Sequence, residues 1–165
     1  MTMTMETQTT LIVVGIGDVK VGQSPAVIRT TLGSCIAVCL YDQQQKIGGM
    51  LHLMMANSEG HTQRDFKPAK FADTGIPLLL ESLKKQYGVL PLQLKAKIFG
   101  GAKILRMVSQ DIGKDNENAV RQILKTVGIP ILAAKTGGEK GYQVDFDLVT
   151  ARVSCRIFGQ EPEEF

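Results

Sequence analysis

A chain of 165 residues with 44% apolar and 21% charged residues has the size and composition of one globular domain with a substantial core. A net charge of only +3, no Lys/Arg block and no tryptophan argue against nucleic acid as a partner. Three cysteines are odd in number and too few for a disulfide framework, and no apolar run reaches bilayer-spanning length. The polar N-terminal stretch lacks a signal-peptide pattern, so a cytoplasmic setting with reduced thiols and no membrane insertion is expected.

Along the chain, Leu11–Val14 reads as a strand ending at Gly15-Ile16-Gly17-Asp18, with Val19–Gly22 as its continuation and Gly22-Gln23-Ser24-Pro25 as a turn. Ala26–Thr31 is a short extended lead-in to an apolar strand at residues 34–41. A second strand spans residues 46–55, and the polar Asp42-Gln43-Gln44-Gln45 connection between them suits an antiparallel pair. Asn57–Arg64 is a polar loop. A helix follows near residues 69–87, where Phe71, Ile76, Leu79, Leu80, Leu83 and Tyr87 form one stripe, Pro77 kinks it or marks its first turn, and Gly88 ends it.

Leu92–Phe99 reads as a strand and Gly100-Gly101-Ala102 as a tight backbone feature. A second helix covers residues 116–127, capped by Asn116 and stopped by Gly128 and Pro130. Ile131–Ala134, Val144–Thr150 and Arg152–Phe158 complete the strands, with Thr136–Gly141 as a hairpin-type loop. The sum is a single α+β (mixed α/β) domain over residues 1–165, with residues 1–10 and 160–165 mobile and the acidic tail frayed. Largely antiparallel sheets are layered with two to three helices in an α/β/β sandwich-like arrangement.

The chemistry gathers in the first strand pair. Gly33 and Ser34 lead into Cys35 at the mouth of an apolar strand, and His52, one of only two histidines, lies in the next. With Tyr41 opposite Lys46, paired positions sum to 87, which sets Cys35 directly opposite His52 with β-carbons ~4.5–5.5 Å apart. An adjacent imidazole lowers a thiol pKa and shuttles its proton, the minimum for thiolate nucleophilic chemistry. Gly33 lets the backbone turn so that amides around Ser34 and Cys35 point at one oxyanion. Cys39 and Cys155 read as core packing, and His61 as surface. A metal site from Cys35, Cys39 and His52 is disfavoured by Cys-x3-Cys spacing in a strand and by the absence of a fourth ligand, so neither metal nor cofactor is expected.

Leu32–Asp42 and Gly48–Met54 resemble the active-site segment of the chemoreceptor glutamine deamidase (CheD) family. Lys70–Leu79, Ala96–Ala102, Ile112-Gly113 with Asn116, and Gly137-Gly138 continue the likeness from about Gly15 to Phe158. The resemblance implies hydrolysis of receptor glutamines to glutamate on methyl-accepting chemotaxis receptors, sometimes in partnership with a CheC-type phosphatase. It places the nucleophile on Cys35, the base on His52 and an orienting threonine on Thr30. Thr31 competes for that last role, and Arg29 stands six positions before the cysteine. Tyr142 departs from the arginine common in the family. A non-catalytic module binding receptor or phosphatase, and receptor methyl-ester hydrolysis by the same thioester chemistry, are the rival readings.

Overall fold

The computed structural model of the chain describes residues 7–61, 66–104 and 109–165. The expectations for residues 1–6 and for the end of the polar loop at 62–64 lie outside the described residues. Ten strands and two α-helices follow in the order β1 (Thr10–Val13), β2 (Asp18–Gln23), β3 (Ala26–Leu32), β4 (Ile36–Asp42), β5 (Ile47–Leu53), α1 (Ala72–Tyr87), β6 (Lys95–Gly100), α2 (Ile112–Val127), β7 (Ile131–Thr136), β8 (Tyr142–Asp147), β9 (Val153–Ile157) and β10 (Glu163–Glu164). They build two five-stranded sheets, an inner one of order β2-β5-β4-β6-β7 and an outer one of order β1-β3-β8-β9-β10. Pairing is antiparallel except at β1–β3 and β6–β7.

The layers follow from side-chain alternation. Every residue of β4 and β5 is buried, so both faces of the inner sheet are covered. On one face Ile36, Val38, Leu40, Leu51, Leu53 and Ile98 pack against Ile76, Leu79 and Leu83 of α1 and Val120 and Leu124 of α2. On the other, Ala37, Cys39, Tyr41, Met50 and Phe99 meet Ile28, Val144, Phe146 and Val153 of the outer sheet. The result is the three-layer α/β/β arrangement, with an aliphatic core under the helices and a second core between the sheets.

Several elements differ from the sequence expectation for identifiable reasons. Leu11–Val13 and Val19–Gly22 are not one strand. Gly17 turns the chain with φ +68°, and the two halves enter different sheets. Ala26–Leu32 is not a lead-in but an interior strand of the outer sheet, flanked by β1 and β8. Thr136–Gly141 is not a hairpin loop, because β7 and β8 belong to different sheets. The acidic tail does not fray. Glu163 and Glu164 pair with Cys155 and Ser154, and Phe165 exchanges backbone hydrogen bonds with Val153. Helix α1 runs through Pro77, whose missing N–H falls on the exposed side. Helix α2 starts four residues early, capped by Asp111, whose side chain accepts from the Lys114 amide at 3.0 Å. Asn116 therefore is not the cap, and it lies inside the helix with 0% exposure.

Candidate active site

The β4–β5 ladder runs from Asp42↔Ile47 to Ile36↔Leu53, so paired positions sum to 89 rather than 87. His52 stands opposite Ala37 on one side and Asp18 of β2 on the other, and Cys35 lies one step beyond the last rung. A shift of two residues keeps every side chain on its face. Cys35 thus stays on the same side of the sheet as His52, toward the outer sheet, and becomes its diagonal neighbour rather than its direct partner. Diagonal pairs have separations of about 7–8 Å, within reach of long side chains.

The second sheet supplies the next contact. Along β3 the inward positions are Ala26, Ile28, Thr30 and Leu32, whereas Thr31 is exposed. Parity therefore puts Thr30 under His52 and turns Thr31 away. Thr30 Oγ1 lies 2.8 Å from His52 Nδ1 and donates its proton to the Val14 carbonyl at 2.7 Å. A hydroxyl has one proton to give, so Nδ1 carries the ring hydrogen and donates to Oγ1. Nε2 is left with its lone pair, is buried, and has no hydrogen-bond partner, the Cys35 sulfur included. Burial depresses the His52 pKa, partly offset by the Val14 carbonyl. Burial raises the Cys35 thiol pKa, against a smaller pull from its own amide. Both shifts favour a neutral thiol and a neutral imidazole at rest.

The Cys35 turn is held from two sides. Gly101 N–H donates to the Cys35 carbonyl at 2.9 Å, and Ala102 N–H to the Gly33 carbonyl at 3.0 Å. Gly100 lies at φ +106°, and a Cβ there would overlap the Cys35 carbonyl oxygen. Gly33 itself does not adopt the left-handed conformation, so the tight approach depends on Gly100 and not on Gly33. Asn116 Nδ2 donates to the Ser34 carbonyl at 3.1 Å and the Met54 carbonyl at 2.9 Å. Among the described residues the Ser34 and Cys35 amides donate to no other residue, which leaves them open to an oxyanion.

Cys35 opens into a cleft of about 600 Å³ lined by Ser34, Met54, Met55, His61, Ile112 and Asn116 among others. His61, read as surface, is exposed and lies against Phe71 with ring centroids 5.0 Å apart. A second depression of about 520 Å³ lies on the outer sheet, where Arg29 forms a two-pronged ion pair with Asp145 at 2.7 and 2.9 Å; neither thiol nor imidazole lines it. Arg29 thus points away from the cleft. Tyr142 is buried and donates to the Gly137 carbonyl at 2.6 Å. Cys39 is fully buried and its thiol pKa is pushed far up by desolvation, and Cys155 is pushed up to about 11, chiefly by burial. Neither is positioned as a thiolate. Among the described residues no three His, Cys, Asp or Glu side chains converge as a metal site would require.

Comparison with known proteins adds the lineage. A family model described as CheD chemotactic sensory transduction matches residues 54–157, a span that begins after Cys35 and His52. Whole-chain relatives extend across the site. The chain is 42% identical over 151 residues to the probable chemoreceptor glutamine deamidase CheD of Desulforamulus reducens, covering 88% of this chain and 90% of that one. It is 42% identical over 148 residues to the chemoreceptor glutamine deamidase CheD of Thermotoga maritima, with 89% and 92% covered. Among solved structures it is similar to the Bacillus licheniformis hypothetical protein YfiH, with a TM-score of 0.46 and 15% identity over 74% of this chain and 50% of that one. The 42% identity to the two chemoreceptor glutamine deamidase relatives, over most of each chain, shows that the chain belongs to the CheD family.

Proposed function

We propose that this protein deamidates glutamine side chains of chemoreceptors to glutamate, with Cys35 as nucleophile, His52 as general acid and base, and Thr30 as the group that orients the imidazole. The observation that carries the reading is the buried, unpartnered Nε2 of His52, fixed from behind by Thr30 and facing the side of the sheet on which Cys35 opens to the cleft.

The steps follow from these atoms. Nε2 takes the Cys35 thiol proton, and the thiolate adds to the carboxamide carbon of the substrate glutamine. The oxyanion so formed is stabilised by the Ser34 and Cys35 amides. The imidazolium returns its proton to the departing nitrogen, ammonia leaves, and a thioester remains on Cys35. His52 then deprotonates a water that attacks the thioester carbon, and the collapse releases glutamate and restores the thiol. Thr30 holds the ring in the tautomer with Nδ1 protonated, the third-group role of a catalytic triad. No step calls for a cofactor. Each turnover adds one negative charge to a receptor helix, which changes its packing electrostatics. In this reading the enzyme works from the cytoplasm; among the described residues no helix is long and apolar enough to cross a membrane. A CheC-type phosphatase is a further partner in this reading, tested by co-purification.

The experiment incubates receptor cytoplasmic fragments with the wild type and with Cys35→Ala and reads Gln-to-Glu conversion by peptide mass spectrometry. Conversion by the wild type alone is expected. Receptor binding without conversion by either protein would favour a regulatory module, and conversion confined to methylated glutamates would favour ester hydrolysis. Conversion that persists in Cys35→Ala would remove the nucleophile assignment.

A further inference from the structure

We propose that Asn116 is a positioning residue for the reaction, a side-chain rung that fixes the Cys35 turn against the strand carrying His52; the inference rests on the deamidase reading of the same site. The ladder between β4 and β5 stops at Ile36↔Leu53. Beyond that rung the two segments part. The Cys35 turn binds Gly101 and Ala102 on one side, while the Met54 amide donates to Lys70 on the other. No backbone bond joins them where the chemistry happens. The gap is closed by Asn116, reaching from the second turn of α2 to the Ser34 carbonyl, one residue before Cys35, and the Met54 carbonyl, two residues after His52. One planar amide therefore spans both halves of the pair.

Three features argue that this is more than packing. Asn116 lies on the buried stripe of α2 with Gly113, Val120 and Leu124, where an aliphatic side chain would serve the core as well. Both of its N–H bonds leave the helix for the site, and its Oδ1 is buried without a partner. Buried polar atoms are nearly always paired. Among the described residues the only other unpaired buried side-chain nitrogen or oxygen is His52 Nε2. Both exceptions flank Cys35, and polar groups left in unfavourable surroundings concentrate where a structure is shaped for function. Fixing the Ser34 carbonyl also fixes the plane of the Ser34–Cys35 peptide, and hence the direction of the amide offered to the oxyanion. A loosened strap would spoil the approach of thiol to imidazole.

The test compares full-length wild type, Asn116→Ala and Val120→Ala, the last being a core truncation on the same helix stripe away from the Cys35 turn. Melting temperature, kcat and KM on receptor fragments are measured, together with the pH profile of Cys35 alkylation by iodoacetamide, resolved from Cys39 and Cys155 by peptide mapping. Asn116→Ala is expected to lose kcat by about tenfold or more with KM within about twofold. Its alkylation profile should move toward that of His52→Ala. Val120→Ala should lower the melting temperature and leave kcat of the folded protein and the profile in place. If Asn116→Ala does not fold, Asn116→Asp, which keeps the shape and loses both N–H groups, is measured in its place. An alkylation profile superimposable on that of the wild type, or a kcat loss no greater than that of Val120→Ala, overturns the proposal. Should the wild type itself leave glutamine untouched, the deamidase reading falls, while the alkylation profile still decides whether Asn116 sets the thiol against the imidazole.

Discussion

The two faces of the inner sheet are equally buried and chemically opposite. Toward the helices, Val38, Leu40, Leu51, Leu53 and Ile98 offer no side-chain nitrogen or oxygen. Toward the outer sheet, the same strands present His52, Lys97, Cys39 and Tyr41. Lys97 is kept there by the Ala151 and Phe165 carbonyls at 2.7 and 3.0 Å, and by the Tyr41 ring with its centroid 5.3 Å from Nζ. The difference lies in what covers each face. A helix has spent its backbone groups on itself and offers side chains only, so the helix-covered face is aliphatic at its centre, with Asp42 of β4 and Asn116 and Glu117 of α2 as its buried polar exceptions. A second sheet delivers polar side chains at defined depths, and Thr30 of β3 is the one that reaches an imidazole. If the proposed site carries the reaction, stability and chemistry fall on opposite faces of a single layer.

That division can be broken by experiment. Leu51→Ala, on the helix face, should cost about 2–5 kcal/mol in unfolding free energy while leaving kcat of the folded protein near wild type. Chemical denaturation combined with activity per folded molecule checks it. Thr30→Val, on the sheet face, should lower kcat by about tenfold to a hundredfold through loss of the imidazole tautomer, with Thr30→Ser retaining most activity. Thr31→Val, one residue away on the exposed side, should change neither. A smaller effect comes from His52 itself. Its folded-state pKa lies below the unfolded value, so the unfolded chain binds more protons, and stability falls as pH drops below about 6.5 toward the folded pKa. In His52→Ala that part of the acid slope should vanish, as read from denaturation midpoints across pH.

The strand pair was legible because two apolar runs joined by a polar turn are strong local signals. Its register was misjudged by two residues. Asp42 has the composition of a loop residue but ends β4, where its carboxylate accepts from the Gln44 and Gln45 amides, and Lys46 completes the turn at φ +55°. The slip was even in number, so the shared face survived and direct opposition did not. Asn116 was misplaced for a related reason. A polar residue ahead of an apolar stripe has the pattern of a cap, and nothing local tells a cap from a strap whose partners, Ser34 and Met54, lie 82 and 62 positions away in sequence. The division of strands between two sheets was also hidden, since periodicity reports which face is buried and not what buries it. Gly100 was visible as a tight feature, but its reason, the Cys35 carbonyl oxygen in the space a Cβ would need, is a tertiary fact.

The central claim is that substrate carbon bonds to Cys35 sulfur. It is tested most directly by mixing the protein with a receptor fragment, quenching in acid within a turnover, and mapping the peptides by mass spectrometry. The expected result is a hydroxylamine-sensitive adduct on the Cys35 peptide, equal in mass to the receptor segment less ammonia, and absent from Cys35→Ala. An adduct on Cys39 or Cys155, or glutamate formed at full rate with no adduct on Cys35, would contradict it.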